Sequence, residues 1–183
     1  TLVLLQHAAY HADFSDKRSA CFVTVSPRLC RQLYLRYGEM KKTENLSLPP
    51  TVFFSFRELL NRLLEMRGIR DFEELDPCRF LGYVDARRSH EQIPIDPILA
   101  ENEVGGVITG SLDAAEQRGP LSREQYLENK RSNIENETDG GRSLRNIVFD
   151  EYERYSVWKR ETKKYDINDI VLRLLQTKWN MIF

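Results

Sequence analysis

The sequence lacks three features that would assign the chain to a specialised class. It has no run approaching the ~20 consecutive apolar residues that a bilayer-spanning helix needs, and its opening lacks the basic start and small-residue cleavage site of a signal peptide. Its 27 basic and 28 acidic residues leave a net charge of -1, so any basic site must be local. We therefore expect no membrane segment, and neither nucleic acid nor membrane is indicated by the overall charge.

Cysteine is also scarce. The three cysteines, Cys21, Cys30 and Cys78, are an odd number and form no CxxC pair. This pattern is typical of a reducing compartment and speaks against structural zinc. We expect an intracellular protein of the nucleus or cytoplasm.

What is present is the composition of a packed protein. The 183 residues are 41% hydrophobic and 10% aromatic, enough for one domain or for most of one with an inserted subdomain. The chain begins at Thr1, without methionine, inside a predicted helix from Leu2 to His11. We therefore expect it to be a piece of a longer polypeptide.

The first third of the chain repeats a strand followed by a helix. Residues 20–25 form an apolar, β-branched run, and Ser26-Pro27 supplies an N-cap and a first-turn proline for a helix ending near Gly38. A second strand, residues 51–55, precedes a helical pattern that ends at Gly68. This order predicts an α/β fold with a parallel sheet.

The rest of the chain is predicted to be mostly helical, with a surface connection between Arg87 and Pro97. A glycine-rich turn is predicted around Gly105, Gly106 and Gly110, and a polar loop over 133–141. The predicted helices are Asp71–Tyr83, one capped by Ser122 and Gln125, a long amphipathic one from Leu144 to Trp158, and one opened by Asp166.

Familiar catalytic patterns find little support. His7 and His11 stand one helical turn apart, but no glutamate of an HExxH motif and no third ligand accompany them, so we predict no metal site. Gly105 to Ser111 has the glycine spacing of a phosphate loop without its lysine, and no GxSxG elbow is present. The residues themselves therefore predict no catalytic centre.

A series of short motifs, in order, gives the strongest functional signal. In order along the chain these are FVTVSPRLCRQL (22–33), VFFSFRELL (52–60), ITGS (108–111), LSREQY (121–126), WK (158–159) and YDINDIV (165–171). Their order and spacing resemble superfamily 1 helicases of the UvrD/Rep type, above all the large eukaryotic members. The resemblance implies a partial RecA-like P-loop NTPase domain in residues 1–68, a helical inserted subdomain in 69–163, and a return into the motor domain in 164–183.

The resemblance also implies site residues. It places Thr24, Ser26 and Arg28 on a turn that contacts the backbone of single-stranded nucleic acid, and it assigns Ser55 to the same role. Hydroxyls, a helix N-terminus and a guanidinium all suit phosphate oxygens. Val25 stands where the family often has an aromatic residue, which favours backbone contact over base stacking.

Asp166 and Asp169 match two family aspartates, while Asn168 replaces a third acid. A structural alternative stays open for both acids, because Asp166 is a good N-cap and Asp169 complements the helix dipole. Core packing is the corresponding alternative for Phe53, Phe54 and Phe56.

The family's phosphate loop is expected before Thr1, and its Mg²⁺-binding acidic motif beyond Phe183. ATP and Mg²⁺ are therefore expected in the parent helicase, an ATP hydrolase, whereas this piece alone is expected to bind neither and to be inactive. The expected partners are single-stranded nucleic acid, DNA rather than RNA, and the remaining helicase domains of the same polypeptide. The alternative is a non-catalytic helical protein-interaction module that presents residues 144–158 to a partner.

Overall fold

A computed structural model describes residues 20–43, 51–87, 95–132, 134, 138–139 and 142–177. The chain divides into two units, Thr1–Gly68 and Ile69–Phe183. This division coincides with the position at which sequence analysis separated a motor-domain segment from an inserted subdomain. The assignment of these segments to a RecA-like domain stays a prediction. The predicted helix over 2–11, with His7 and His11, lies outside the described residues.

The first unit is built from two strand–helix pairs. Strand β1 (Ala20–Thr24) leads into helix α1 (Pro27–Thr43), and strand β2 (Thr51–Ser55) leads into helix α2 (Phe56–Arg67). The strands pair in parallel, from Ala20 opposite Thr51 to Thr24 opposite Ser55. The predicted α/β class with parallel strands is confirmed at this level.

Local capping sets the helix boundaries of the first unit. Ser55 caps α2 together with Glu58, and Gly68 ends the helix at a φ of 62°, a left-handed conformation that glycine adopts without strain. The predicted end of α1 near Gly38 is wrong, since the helix continues to Thr43. The extra turn buries Met40 against the core, and this packing outweighs the low helix propensity of glycine.

The core of the first unit lies between α1 and one face of the strand pair. It is formed by the buried residues Leu33, Tyr37 and Met40, with Phe22, Leu29 and Phe53 packed against them. The Phe53 ring is central, at 5.2 Å from the ring of Phe22 and 5.4 Å from that of Tyr37. Core packing of Phe53 is thus confirmed.

The second unit is mostly helical. Its elements are β3 (Asp76–Pro77), α3 (Phe80–Arg87), α4 (Pro97–Glu103), a π-helix (Val104–Ile108), α5 (Leu112–Glu116), α6 (Arg123–Glu128), β4 (Thr138–Asp139), β5 (Arg142–Ser143), α7 (Leu144–Glu161), β6 (Lys164–Tyr165) and α8 (Ile167–Gln176). The predicted capping box at Ser122 and Gln125, the long helix from Leu144 and the start of the last helix after Asp166 are confirmed. Among the described helices, none is both long and apolar enough to cross a bilayer.

Two predictions for the second unit are wrong. The segment predicted as a helix over Asp71–Tyr83 instead contains turns and the short strand β3, which pairs in parallel with β6, and α3 begins only at Phe80. Pro77 has no N–H with which to continue a helix. The predicted glycine-rich turn is wrong for Gly105 and Gly106, which lie in a π-helix that continues α4, whereas Gly110 does lie in a turn.

A large core holds the second unit together. Its buried members come from α3, α4, the π-helix, α5, α6, α7 and the segments between them: Phe80, Tyr83, Val84, Ala100, Val104, Val107, Ile108, Ala114, Leu121, Tyr126, Ile134, Val148, Phe149 and Tyr155. Residues 164–177, which the resemblance assigns to the motor domain, belong to this unit, because β6 pairs with β3 and α8 follows directly.

Candidate nucleic-acid interface

The turn after β1 contains three residues that the resemblance assigns to strand contact: Ser26 and Arg28 are exposed, and Thr24 is half-buried. Thr24 Oγ1 accepts a hydrogen bond from the Ser26 N–H at 3.3 Å, and Ser26 Oγ accepts one from the Leu29 N–H at 3.2 Å. Ser26 therefore acts as the predicted N-cap. A hydroxyl that accepts in this way keeps its own hydrogen, so both side chains retain a donor for a phosphate oxygen.

Arg28 lies in the first turn of α1 and is exposed, and that turn contains no acidic side chain. Pro27 has no N–H, and the N–H groups of Leu29 and Cys30 both donate to Ser26. Within the described ranges the Arg28 N–H has no acceptor. A guanidinium, two hydroxyls and a free helix N–H thus surround one exposed turn, an arrangement suited to an anion.

The second strand ends at the same edge. Because Thr24 and Ser55 are opposite each other in parallel strands, α1 and α2 both begin there. Arg57, exposed in the first turn of α2, adds a second guanidinium to this edge. Arg57 is far from Arg28 in sequence, and the register of the strands relates the two.

Ser55 differs from the other predicted contacts because its side chain is only 2% exposed. Its hydroxyl donates to Glu58 Oε2 at 2.7 Å and accepts from the Glu58 N–H at 3.3 Å. These side-chain and backbone hydrogen bonds from Ser55 lower the pKa of Glu58, so a carboxylate lies beside it. In this structure the Ser55 hydroxyl caps α2, and its contact with nucleic acid stays a prediction.

The two motif acids in the second unit cap α8. Asp166 Oδ1 accepts from the N–H groups of Asn168 at 2.9 Å and Asp169 at 3.2 Å, and Asp169 Oδ2 accepts from the Asp166 N–H at 2.8 Å. The structural alternative, with Asp166 as N-cap, is confirmed.

The same carboxylates share one buried lysine. Lys159 Nζ, near the end of α7, lies 2.8 Å from Asp166 Oδ2 and 2.6 Å from Asp169 Oδ2, and Tyr155 donates to Asp166 at 3.0 Å. Burial lowers the pKa of Lys159, but attraction to both carboxylates outweighs burial and raises it. Burial and the neighbouring Asp166 raise the pKa of Asp169. This ion-pair group joins α7 to α8.

Asn168 connects the group to the glycine segment. Its side-chain amide donates to Gly105 O at 2.9 Å and to Thr109 Oγ1 at 2.8 Å, and Thr109 donates to Val104 O at 2.7 Å. We call Thr109, Lys159, Asp166, Asn168 and Asp169 the motif network. It unites residues from three of the short motifs, ITGS, WK and YDINDIV, in one set of internal bonds. Lys159 and Asn168 lie in the short motifs, but neither is predicted from the sequence to be a site residue.

The described residues contain no group of three or more histidine, cysteine, aspartate or glutamate side chains arranged to hold a metal ion. The pair His7 and His11 lies outside them. Cys78 lies beside the motif network, 3.4 Å from the Tyr155 hydroxyl, and burial raises the pKa of its thiol.

Comparison with known proteins adds no relative. No protein-family model matches the sequence, and a search of curated proteins found no match. The turn after β1, with the adjoining start of α2, is therefore selected as the candidate interface on its geometry and on the motif resemblance alone.

Proposed function

We propose that this chain contributes single-strand contacts to an ATP-dependent superfamily 1 helicase or a helicase-like NTPase, with a partial RecA-like domain and a helical insertion. The observation that carries the proposal is the turn at the carboxyl edge of two parallel strands, where Ser26 and Arg28 are exposed and Thr24 is half-buried. Ligands of open parallel sheets bind at this edge. Two helix N-termini and two exposed arginines there favour a phosphate-bearing ligand.

ATP and Mg²⁺ belong to the parent protein in this proposal. The phosphate loop and the acidic motif of the family are not among the motifs of these 183 residues. We therefore expect the isolated chain to show no ATP turnover, and the parent protein to show ATPase activity stimulated by single strands. ATP turnover by the isolated chain would contradict this division of roles.

The alternative of a protein-interaction helix receives no support from α7. The side chains of Val148, Phe149 and Tyr155 on this helix are buried in the core of the second unit. The helix therefore directs its main apolar contacts inward, whereas a docking helix must present them to a partner.

A binding titration of the whole chain tests the proposal. With a fluorescently labelled DNA oligonucleotide and anisotropy as the signal, Arg28→Ala is expected to weaken single-strand binding by about 1 kcal/mol, or roughly fivefold, because it removes one phosphate contact. The slope of log affinity against log salt should fall by about 0.7, the value for one phosphate contact to a single strand. Arg62→Ala is the matched control, since Arg62 is exposed in the same unit and pairs with Glu65.

An RNA oligonucleotide of the same sequence tests the preference for DNA. Equal salt slopes for the native chain and Arg28→Ala would remove Arg28 from the interface. Absence of binding to either strand would overturn the proposed contact as a whole.

A further inference from the structure

Helix α1 concentrates positive charge in a chain that is nearly neutral. The helix carries five basic residues and one acidic residue, whereas the whole chain has a net charge of -1. The five basic residues are all exposed: Arg28, Arg31, Arg36, Lys41 and Lys42. The acid, Glu39, forms an ion pair of 3.1 Å with Arg36. A partner of α1 is therefore expected to be anionic.

Most of this charge follows one side of the helix. Arg31, Leu35, Gly38 and Lys42 recur at spacings of four, three and four residues, which places them on one face, and Tyr34 and Lys41 flank it. We call these six residues the α1 stripe. The core residues Leu33, Tyr37 and Met40 occupy the opposite side. Apart from Tyr34, whose ring contacts Phe53, the stripe thus lies away from the core of the first unit.

An exposed aromatic ring lies between the cations of the stripe. Tyr34 is 63% exposed and Leu35 is 55% exposed. The Tyr34 ring meets Phe53 edge to face, with 6.1 Å between ring centroids, which fixes its position. Gly38 has no side chain, and a Cβ there would find nothing within 4 Å, so the surface beside the ring is open.

The stripe borders a groove against β2. Tyr34, Leu35 and the lysines line it from α1, and Val52 and Phe53 line it from β2. Glu39 also lines it, with its charge paired to Arg36. Val52 is itself half exposed. The groove therefore combines cations, a fixed ring and an apolar floor within one unit of the chain.

We propose that the α1 stripe is a second contact surface for the same single strand, with phosphates on Arg31, Lys41 and Lys42 and a base stacked on Tyr34. The inference rests on the proposed function, because the strand leaves the turn at Arg28 and continues along the helix. Arg31 and Lys41 are ten residues apart, or about 15 Å along the helix axis. A phosphate backbone follows a line of cations, and every base has a face that can stack on a fixed ring.

Stacking is tested with paired oligonucleotides. Anisotropy titrations compare a labelled strand with an abasic strand of equal length, using the whole chain, Tyr34→Leu and Tyr34→Phe. We expect Tyr34→Leu to weaken binding of the normal strand about tenfold, since it removes one stacking platform. Tyr34→Phe should bind as the native chain does, and all three proteins should bind the abasic strand equally.

The cations are tested by salt dependence. The double variant Lys41→Gln with Lys42→Gln should lower the slope of log affinity against log salt by about 1.4, because each phosphate contact to a single strand contributes about 0.7. The matched control removes two exposed charges from the second unit, with Lys130→Gln and Arg131→Gln, and should leave the slope unchanged. Melting temperatures check that each variant folds, and the exposed lysine pair supplies an independent result if Tyr34→Leu does not.

Three outcomes would overturn the inference: a native slope in the lysine variant, equal loss of normal and abasic strands in Tyr34→Leu, or displacement of the strand by polyglutamate at equal charge concentration. The last would identify a surface for acidic peptides. If Arg28→Ala weakens binding while the stripe variants do not, only this inference fails. If no strand binds at all, the proposed function fails with it.

Discussion

The two units place their charged motif residues in opposite environments. In the first unit Ser26 and Arg28 are exposed at a turn, with donors left for a ligand. In the second unit Lys159 is 8% exposed, and it bonds Asp166 and Asp169 within the same fold. Motifs that look equally functional in sequence therefore divide, by burial, into a candidate binding surface and an internal framework.

The burial of apolar side chains also differs between the two units. Among its described residues, the first unit has a small core around Leu33, Tyr37 and Met40, and Val25 is 87% and Val52 51% exposed. The second unit encloses its aromatic side chains in a much larger core. The described part of the second unit is therefore stabilised by a larger apolar core than the described part of the first unit.

The largest effect is expected when the lysine of the motif network is removed. Lys159→Met should lower the free energy of unfolding by about 3 kcal/mol, because it leaves two partly buried carboxylates without their cation. Urea denaturation followed by circular dichroism measures the change. Lys130→Met, at an exposed position, is the control. Adding Asp166→Asn and Asp169→Asn to Lys159→Met should recover part of the lost stability. An unchanged free energy of unfolding in Lys159→Met would show that the network does not stabilise this unit.

Asn168 tests the link to the π-helix. Asn168→Ala removes the donors to Gly105 O and Thr109 Oγ1 and should cost about 1–3 kcal/mol, because the buried acceptors are left unpaired. Amide exchange should accelerate from Val104 to Thr109 more than in α6. Uniform acceleration across the second unit would contradict a local role. Gly110→Ala probes the same place, since a Cβ at Gly110 would lie 2.2 Å from Gly105 O.

Variants of Ser55 test whether this buried residue caps α2 only or also contacts nucleic acid. Ser55→Ala should cost about 1 kcal/mol of stability, because it removes the N-cap of α2. Ser55→Thr should keep most of the stability, since the threonine hydroxyl can both accept from the Glu58 N–H and donate to the Glu58 carboxylate. Thermal melts measure both. A loss of strand binding in Ser55→Ala without a loss of stability would make Ser55 a contact residue instead.

Acid should act through Glu58 and Asp169 with opposite sign. The pKa of Glu58 is lowered by its hydrogen bonds with Ser55, so its contribution is present above the usual range near ~4.3 and is lost as pH falls through the folded pKa. The pKa of Asp169 is raised, mainly by burial, so the folded state takes up this proton first and gains stability as pH falls through the folded pKa.

Glu58→Gln and Asp169→Asn are the matched controls, since each keeps an acceptor without titrating. Backbone amide signals of α2 and α8, followed by NMR from about pH 6 downward, give the two responses separately. This is the smallest of the expected effects. Equal pH responses in a variant and the native chain would contradict the assignment for that residue.

Local signals were enough to predict much of the fold. Ser26-Pro27, the Gly68 end of α2, the Ser122 capping box and the Asp166 cap all act within a few residues, so the sequence carries them directly. The capping box of Ser55 and Glu58 has an equally clear sequence pattern, a serine followed three residues later by a glutamate (SFRE, 55–58). This pattern predicts that Ser55 caps a helix.

Errors came where distant residues decide the structure. The strand at Asp76–Pro77 exists because β6 lies beside it, and the glycine segment forms a π-helix whose carbonyl at Gly105 is held by Asn168. The hydrophobic periodicity of a short stretch of sequence gives no information about β6 or Asn168, which lie far along the chain. The same limit applies to the candidate site: Arg57 and Arg28 meet at one edge only through strand register, and the lysine between the motif acids comes from another helix.

The pairing of β3 with β6 has a consequence for the order in which the chain folds during synthesis. Strands β1 and β2, which pair Ala20 with Thr51, can pair soon after both leave the ribosome. Strand β3 can pair with β6 only after Lys164, the partner of Asp76, has been synthesised. Closing so long a loop costs more chain entropy, and contacts of large sequence separation slow folding. The β3–β6 pair of the second unit can therefore form only after residue 164 has been synthesised. The β1–β2 pair can form while the ribosome is still translating the rest of the chain.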